Sequence, residues 1–79
     1  MQTETPKDRE VERNYHYFKS RVDDLMAEHE GRFALIRHQE IVGYHGDWIA
    51  ALDAGAARFP DGLYSVQEVR TEPYFVSAL

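Results

Sequence analysis

Phe33-Ala34-Leu35-Ile36-Arg37-His38-Gln39-Glu40-Ile41-Val42-Gly43-Tyr44-His45 is the stretch that decides the fold. Two runs rich in aliphatic and aromatic residues flank His38-Gln39, and a tight reversal there predicts an antiparallel hairpin. A two- or four-residue loop gives the same pairing: Arg37 opposite Glu40, Ile36 opposite Ile41, Leu35 opposite Val42. Side chains alternate with period two. Phe33, Leu35, Val42 and Tyr44 are therefore expected on one face, and Ala34, Ile36, Ile41 and Gly43 on the other. Both faces are apolar, unlike those of a hairpin with one side in water.

Upstream, Thr5-Pro6 is a helix start, with Thr5 as N-cap, Pro6 in the first helical position and Asp8 and Glu10 in the first turns. Val11, Tyr15, Phe18, Val22 and Leu25 then recur at alternating spacings of four and three, with His29 next in register, which predicts one amphipathic helix over about 6–30. Gly31 is placed to end it. Downstream, Asp47 is the N-cap expected for a second helix whose stripe is Trp48, Ala51, Leu52, Gly55, Ala56 and Phe59. Pro60-Asp61-Gly62 stops that helix. Leu63 to Arg70 reads as a third strand, with Tyr64 and Val66 on one face and Leu63 and Val69 on the other. Pro73 breaks it, and Tyr74-Phe75-Val76 follows in an apolar tail.

The expected architecture is α+β, a single domain over residues 1–79 with topology α-β-β-α-β. Residues 1–5 are expected to be a disordered lead-in and 71–79 an extended tail. A right-handed crossover through the second helix makes the third strand run with the second. The simplest arrangement is a three-stranded mixed sheet in the order 2-1-3 with both helices packed on one face. That arrangement leaves the other face open, and an open apolar face calls for a partner.

Composition narrows the functional classes. At 79 residues the chain buries only about 60% of its unfolded surface, so its own core is marginal. No cysteine is present, which removes disulfides and thiolate metal sites as staples. An apolar content of 43% with 13% aromatics is that of a folded chain. A net charge of −5, with nine scattered basic residues, disfavours nucleic acid. No apolar run reaches the roughly 20 residues a membrane helix needs, and no leader pattern follows Met1, so a cytoplasmic setting is the default.

No catalytic residue, cofactor site or metal site is assigned. Asp53-Ala54-Gly55-Ala56 resembles the Asp-Thr/Ser-Gly-Ala signature of aspartic peptidases, but Ala54 replaces the supporting hydroxyl and the setting is helical. His16, His29, His38 and His45 include no pair at helical ligand spacing, and His29 is better explained by the helix dipole. His38, His45 and Asp47 compose at most a weak two-ligand set. Ser20, Ser65 and Ser77 lie in no nucleophile elbow. Asp23 and Asp24 are adjacent on a helix and diverge by about 100°. The aromatics are more informative, because aromatic anchors concentrate at binding hot spots. The interface candidates are Tyr17, Phe33, Leu35, Val42, Tyr44, Tyr64, Tyr74 and Phe75.

Glu30-Gly31-Arg32-Phe33-Ala34-Leu35-Ile36, Glu40-Ile41-Val42-Gly43-Tyr44, the Ala-rich helix from Ala50 through Arg58-Phe59, and Leu63 to Val69 together resemble a small bacterial domain of unknown function. The resemblance spans about 55 residues. It implies a neighbouring gene for a retroviral-type aspartic peptidase, and no activity. The expected function is a non-enzymatic protein-interaction module acting through an exposed apolar sheet face or edge, with a protein partner or self-association, a homodimer being the expected form. Two alternatives stand beside it: a small acidic antitoxin-like or regulatory inhibitor of a cognate enzyme, and a small metal-dependent enzyme.

Overall fold

In the computed structural model, which describes residues 4–70, the hairpin is built with the shorter of its two expected loops. Strand β1 (Phe33–Arg37) and strand β2 (Glu40–His45) are joined by His38 and Gln39 alone. Both turn residues lie in the left-handed region, at φ 50° and 63°. This is the mirror-image turn whose twist matches that of the flanking strands. Helix α1 (Pro6–His29) precedes the hairpin, helix α2 (Trp48–Arg58) follows it, and strand β3 (Ser65–Glu68) closes the α-β-β-α-β order. The tail aromatics Tyr74 and Phe75 lie outside the described residues.

Local chemistry explains the helix ends. Thr5, included at sequence level in the lead-in, caps α1. Its hydroxyl accepts from the Asp8 amide while the Asp8 carboxylate accepts from the Thr5 amide. Such a reciprocal box satisfies two otherwise orphaned donors. Asp47 caps α2 by accepting from the Ala50 amide at 2.8 Å. Gly31, at φ +84°, ends α1 in a conformation that side chains resist.

The sheet order is β2-β1-β3, as the sequence predicts. Both pairings are antiparallel. β2 and β3 do run in the same direction, but β1 lies between them, so the sheet is antiparallel rather than mixed. The register matches at Arg37 with Glu40 and at Ile36 with Ile41, then shifts: Leu35 faces Gly43, and Val42 is the extra residue of a bulge. Beyond a bulge the alternation is offset by one. Tyr44 therefore joins Ala34, Ile36 and Ile41 instead of Leu35 and Val42, and Gly43 moves to the Leu35 face.

The helices do not share a face. Phe18, Val22, Leu25 and Met26 of α1 pack with Ala34, Ile36, Ile41, Tyr44 and Val69. Ala51, Leu52 and Ala54 of α2, with Phe59 and Tyr64, pack with Phe33, Leu35, Val42 and Val66. The sheet is the middle layer of an α/sheet/α sandwich with β1 as its central strand, and Ala34, Leu35 and Ile36 are fully buried on alternating sides. The crossover rule fixes only α2, which links the codirectional β2 and β3. α1 reaches β1 through a short link with no such handedness, so it is free to cover the face that α2 leaves. Burying a side chain like Leu35 stabilises by roughly 1.5–3 kcal/mol, which favours this arrangement. The open sheet face expected from the sequence is closed by the chain itself.

α2 lies close to the chain on its side. Gly55 is buried, and a Cβ built there would fall 2.5 Å from the Tyr64 ring. The glycine thus admits an aromatic ring rather than the sheet backbone.

Candidate functional site

The hairpin turn sits against the first half of α1. Position 10 is Glu and position 14 is Asn, one turn apart and in line with Phe18. Both polar residues are buried, Asn14 completely and Glu10 to 8% exposure. Asn14 Oδ1 accepts from the Gln39 amide at 2.8 Å. Its Nδ2 lies 3.0 Å from Glu10 Oε2, 3.0 Å from the Ile36 carbonyl and 3.1 Å from Ser65 Oγ, so its two protons serve three acceptors. Only one amide orientation fits these partners. Glu10 Oε2 also accepts from the His38 amide at 2.6 Å, and Oε1 meets His38 Nδ1 at 2.9 Å. Both backbone amides of the strained turn thus end on buried side chains of α1.

Burial pushes the Glu10 carboxyl upward. Hydrogen bonds from the His38 amide, Asn14 and the His38 ring, with the charge of His38, outweigh it and hold the group below its ordinary value of 4.5. An ionised carboxylate only accepts, so His38 Nδ1 carries a proton. Its partner fixes the ring, whose side chain is 56% exposed. A histidine backed by a carboxylate occurs in acid–base sites and behind metal ligands. Here the carboxylate is already occupied by the turn. Among the described residues no group of three His, Asp or Glu is placed to hold a metal ion. The arrangement acts as a brace.

A second, exposed brace lies beside it. Arg37 donates to Asp61 Oδ1 at 2.7 Å, and the same oxygen accepts from the Leu63 amide at 2.9 Å. The bond from Arg37 and that from Leu63 hold the Asp61 carboxyl below its usual range. Lys7 Nζ donates to the carbonyls of Gly62 and Tyr64 at 2.6 and 2.7 Å and lies 4.4 Å from the Tyr64 ring centre. The loop after α2 is thereby tied to β1 and to α1.

The opposite end of the sheet is aromatic. His29 stacks on Tyr44 with centroids 3.8 Å apart and planes 6° from parallel. Phe33 meets Trp48 edge to face at 6.0 Å. Trp48 is 48% exposed and its neighbour Ile49 63% exposed. They occupy the first turn of α2, where Trp48 meets Phe33. Here two large apolar side chains are adjacent in the chain and open to solvent together. Val11 and Tyr15 also lie open at the hairpin end of α1, which corrects their place in the buried stripe.

Among the interface candidates, Leu35 is fully buried beneath α2 and offers no surface. Val42, Phe33 and Tyr64 are half-buried on the α2 side, while Tyr17 and Tyr44 are half-buried on the α1 side. The weak metal set does not assemble: His38 lies at the turn, whereas His45 pairs with Phe33 at the far end of the hairpin. Asp47 is spent on its cap. Sequence reasoning missed Glu10 and Asn14 because it followed the apolar stripe. The available signal was a polar i, i+4 pair leading into Phe18, with two non-glycine residues in the reversal. It also missed Ile49, which falls off the stripe of α2.

Comparison of the chain with protein-family models, with curated proteins and with solved structures finds no match. The functional reading therefore stands on this geometry.

Proposed function

We propose that this chain is a non-catalytic protein-interaction module that binds through the first turn of α2. The reading is supported above all by Trp48 and Ile49, 48% and 63% exposed beside the half-buried Phe33. Isolated exposed apolar residues are ordinary, whereas a contiguous group is a docking feature. Tryptophan is also among the residues most enriched at binding hot spots. With both sheet faces occupied, the face route drops out. The outer edges of β2 and β3 remain as sites for strand addition next to that turn.

The test is affinity capture from the source cell with wild-type chain and with the Trp48→Ser/Ile49→Ser variant. The expected result is a partner held by the wild type and lost by the variant, with circular dichroism showing both chains folded. Equal capture by both would exclude this surface. The identity of the captured protein separates a scaffold role from an inhibitor of a cognate enzyme.

A further inference from the structure

We infer that the outer edge of β3 pairs with the same edge of a second copy of this chain, antiparallel about a two-fold axis at Val66. The inference goes beyond the Trp48–Ile49 surface and does not use it. Its first support is the direction of the backbone groups. The Val69 amide donates to the Arg32 carbonyl at 2.8 Å, and the Val69 carbonyl accepts from the Gly31 amide at 3.0 Å. Both polar groups of Val69 thus point to the β1 side, and this direction alternates along a strand. Gln67 and Ser65 therefore bond to β1, whereas Glu68, Val66 and Tyr64 turn their amides and carbonyls outward. The Tyr64 carbonyl is accordingly met by Lys7 Nζ at 2.7 Å and not by β1. Among the described residues, no hydrogen bond meets the outward groups of Val66 and Glu68.

The second support is the contrast between the edges of the sheet. β2 is interrupted by its bulge, where Arg58 takes the Val42 carbonyl at 3.2 Å. Bulges and charged side chains are devices that block strand addition. β3 keeps a regular register with β1 from Ser65 to Glu68. The third support is charge, which selects the occupant. Outward groups pair only with outward groups, so a second β3 sets Val66 opposite either Val66 or Glu68. The first register brings Glu68 of each copy opposite Tyr64 of the other. There Lys7 Nζ stands on the outer edge, 2.6 and 2.7 Å from the Gly62 and Tyr64 carbonyls, with a further proton to give. Glu68 Oε2 lies 3.4 Å from Arg70, and Oε1 is left for that proton. Reciprocal Val66 hydrogen bonds at the centre are then closed by a Glu68–Lys7 ion pair at each end. The other register carries Arg70 toward Lys7, like charge against like.

The experiment is amide hydrogen exchange of the full chain by NMR over a wide range of concentration, with light scattering on the same samples. The expected result is a dimer that dissociates on dilution. Protection of the Val66 amide should rise with the dimer, while that of the inward Gln67 amide stays constant. Glu68→Lys should weaken the dimer about tenfold by turning both ion pairs into repulsions, with circular dichroism unchanged. Trp48→Ser/Ile49→Ser should leave the dimer intact. A chain that is monomeric at every concentration would overturn the inference. So would a dimer in which the Val66 amide gains no protection, or one that Glu68→Lys leaves as tight as before. The affinity capture reads a different protein through Trp48 and Ile49, so the two readings fail separately.

Discussion

The two ends of the sheet are built from opposite materials. At the hairpin end, Glu10, Asn14, His38 and Ser65 share a closed hydrogen-bond network, and Arg37, Asp61 and Lys7 tie down the adjoining loop. At the other end, Phe33, Trp48, Ile49, His29 and Tyr44 supply rings and aliphatic surface, part of it open. The difference shows where each kind of change must register. Buried polar groups are costly when one partner is removed, because the remainder cannot recover water. Open apolar groups contribute little to folding and much to association. Damage to the first end should unfold the chain, and damage to the second should leave it folded but without the partner bound there.

The largest effect is expected at Asn14. Asn14→Leu removes the acceptor for the Gln39 amide and the donor to the Ile36 carbonyl together. A loss of about 3 kcal/mol is expected in urea unfolding. A loss below about 1 kcal/mol would mean that the network is ornamental.

Glu10 comes next, and its effect depends on pH. Its folded value lies below the ordinary 4.5, so the stability it contributes is present above that value and is lost as pH falls through the folded one. Asp61 is shifted in the same direction and contributes with the same sign. Glu10→Gln should weaken folding at neutral pH and shrink the acid-side decline in stability, leaving the share due to Asp61. An unchanged acid limb would show that Glu10 is not the group holding the turn.

A smaller change, of opposite sign, is expected in the turn itself. Gln39 adopts φ 63° without being glycine. Gln39→Gly keeps the amide that Asn14 accepts and relieves the left-handed strain. It should raise stability by about 0.5 kcal/mol once the greater freedom of the unfolded chain is deducted. The smallest effect belongs to the open end, where Ile49→Ser, at a side chain 63% exposed, should alter stability by no more than about 0.5 kcal/mol in urea unfolding.

Much of the fold was legible because local chemistry and periodicity agree with it. Thr5-Pro6 and Asp47 mark their helices, and the hairpin follows from alternation about His38-Gln39. The order 2-1-3 follows from a crossover rule. The side taken by α1 was not legible, since no handedness constrains its link to β1 and a polar pair heads its buried line. The bulge had a signal in Gly43, a lone glycine inside a strand pattern. Without it, Tyr44 was assigned to the wrong face. Of the candidate site, the aromatic content was legible but its location was not. Trp48 reads as the first residue of a buried stripe, yet at the start of α2 it is 48% exposed.

Photo-crosslinking in the source cell, with the reactive group placed at position 49 and separately at position 16, tests the binding surface most directly. His16 is a suitable control because its side chain is 71% exposed on α1, away from the open end of the sheet. An adduct with another protein from position 49, and none from position 16, is the predicted outcome. An adduct from position 16 with none from position 49 would contradict it.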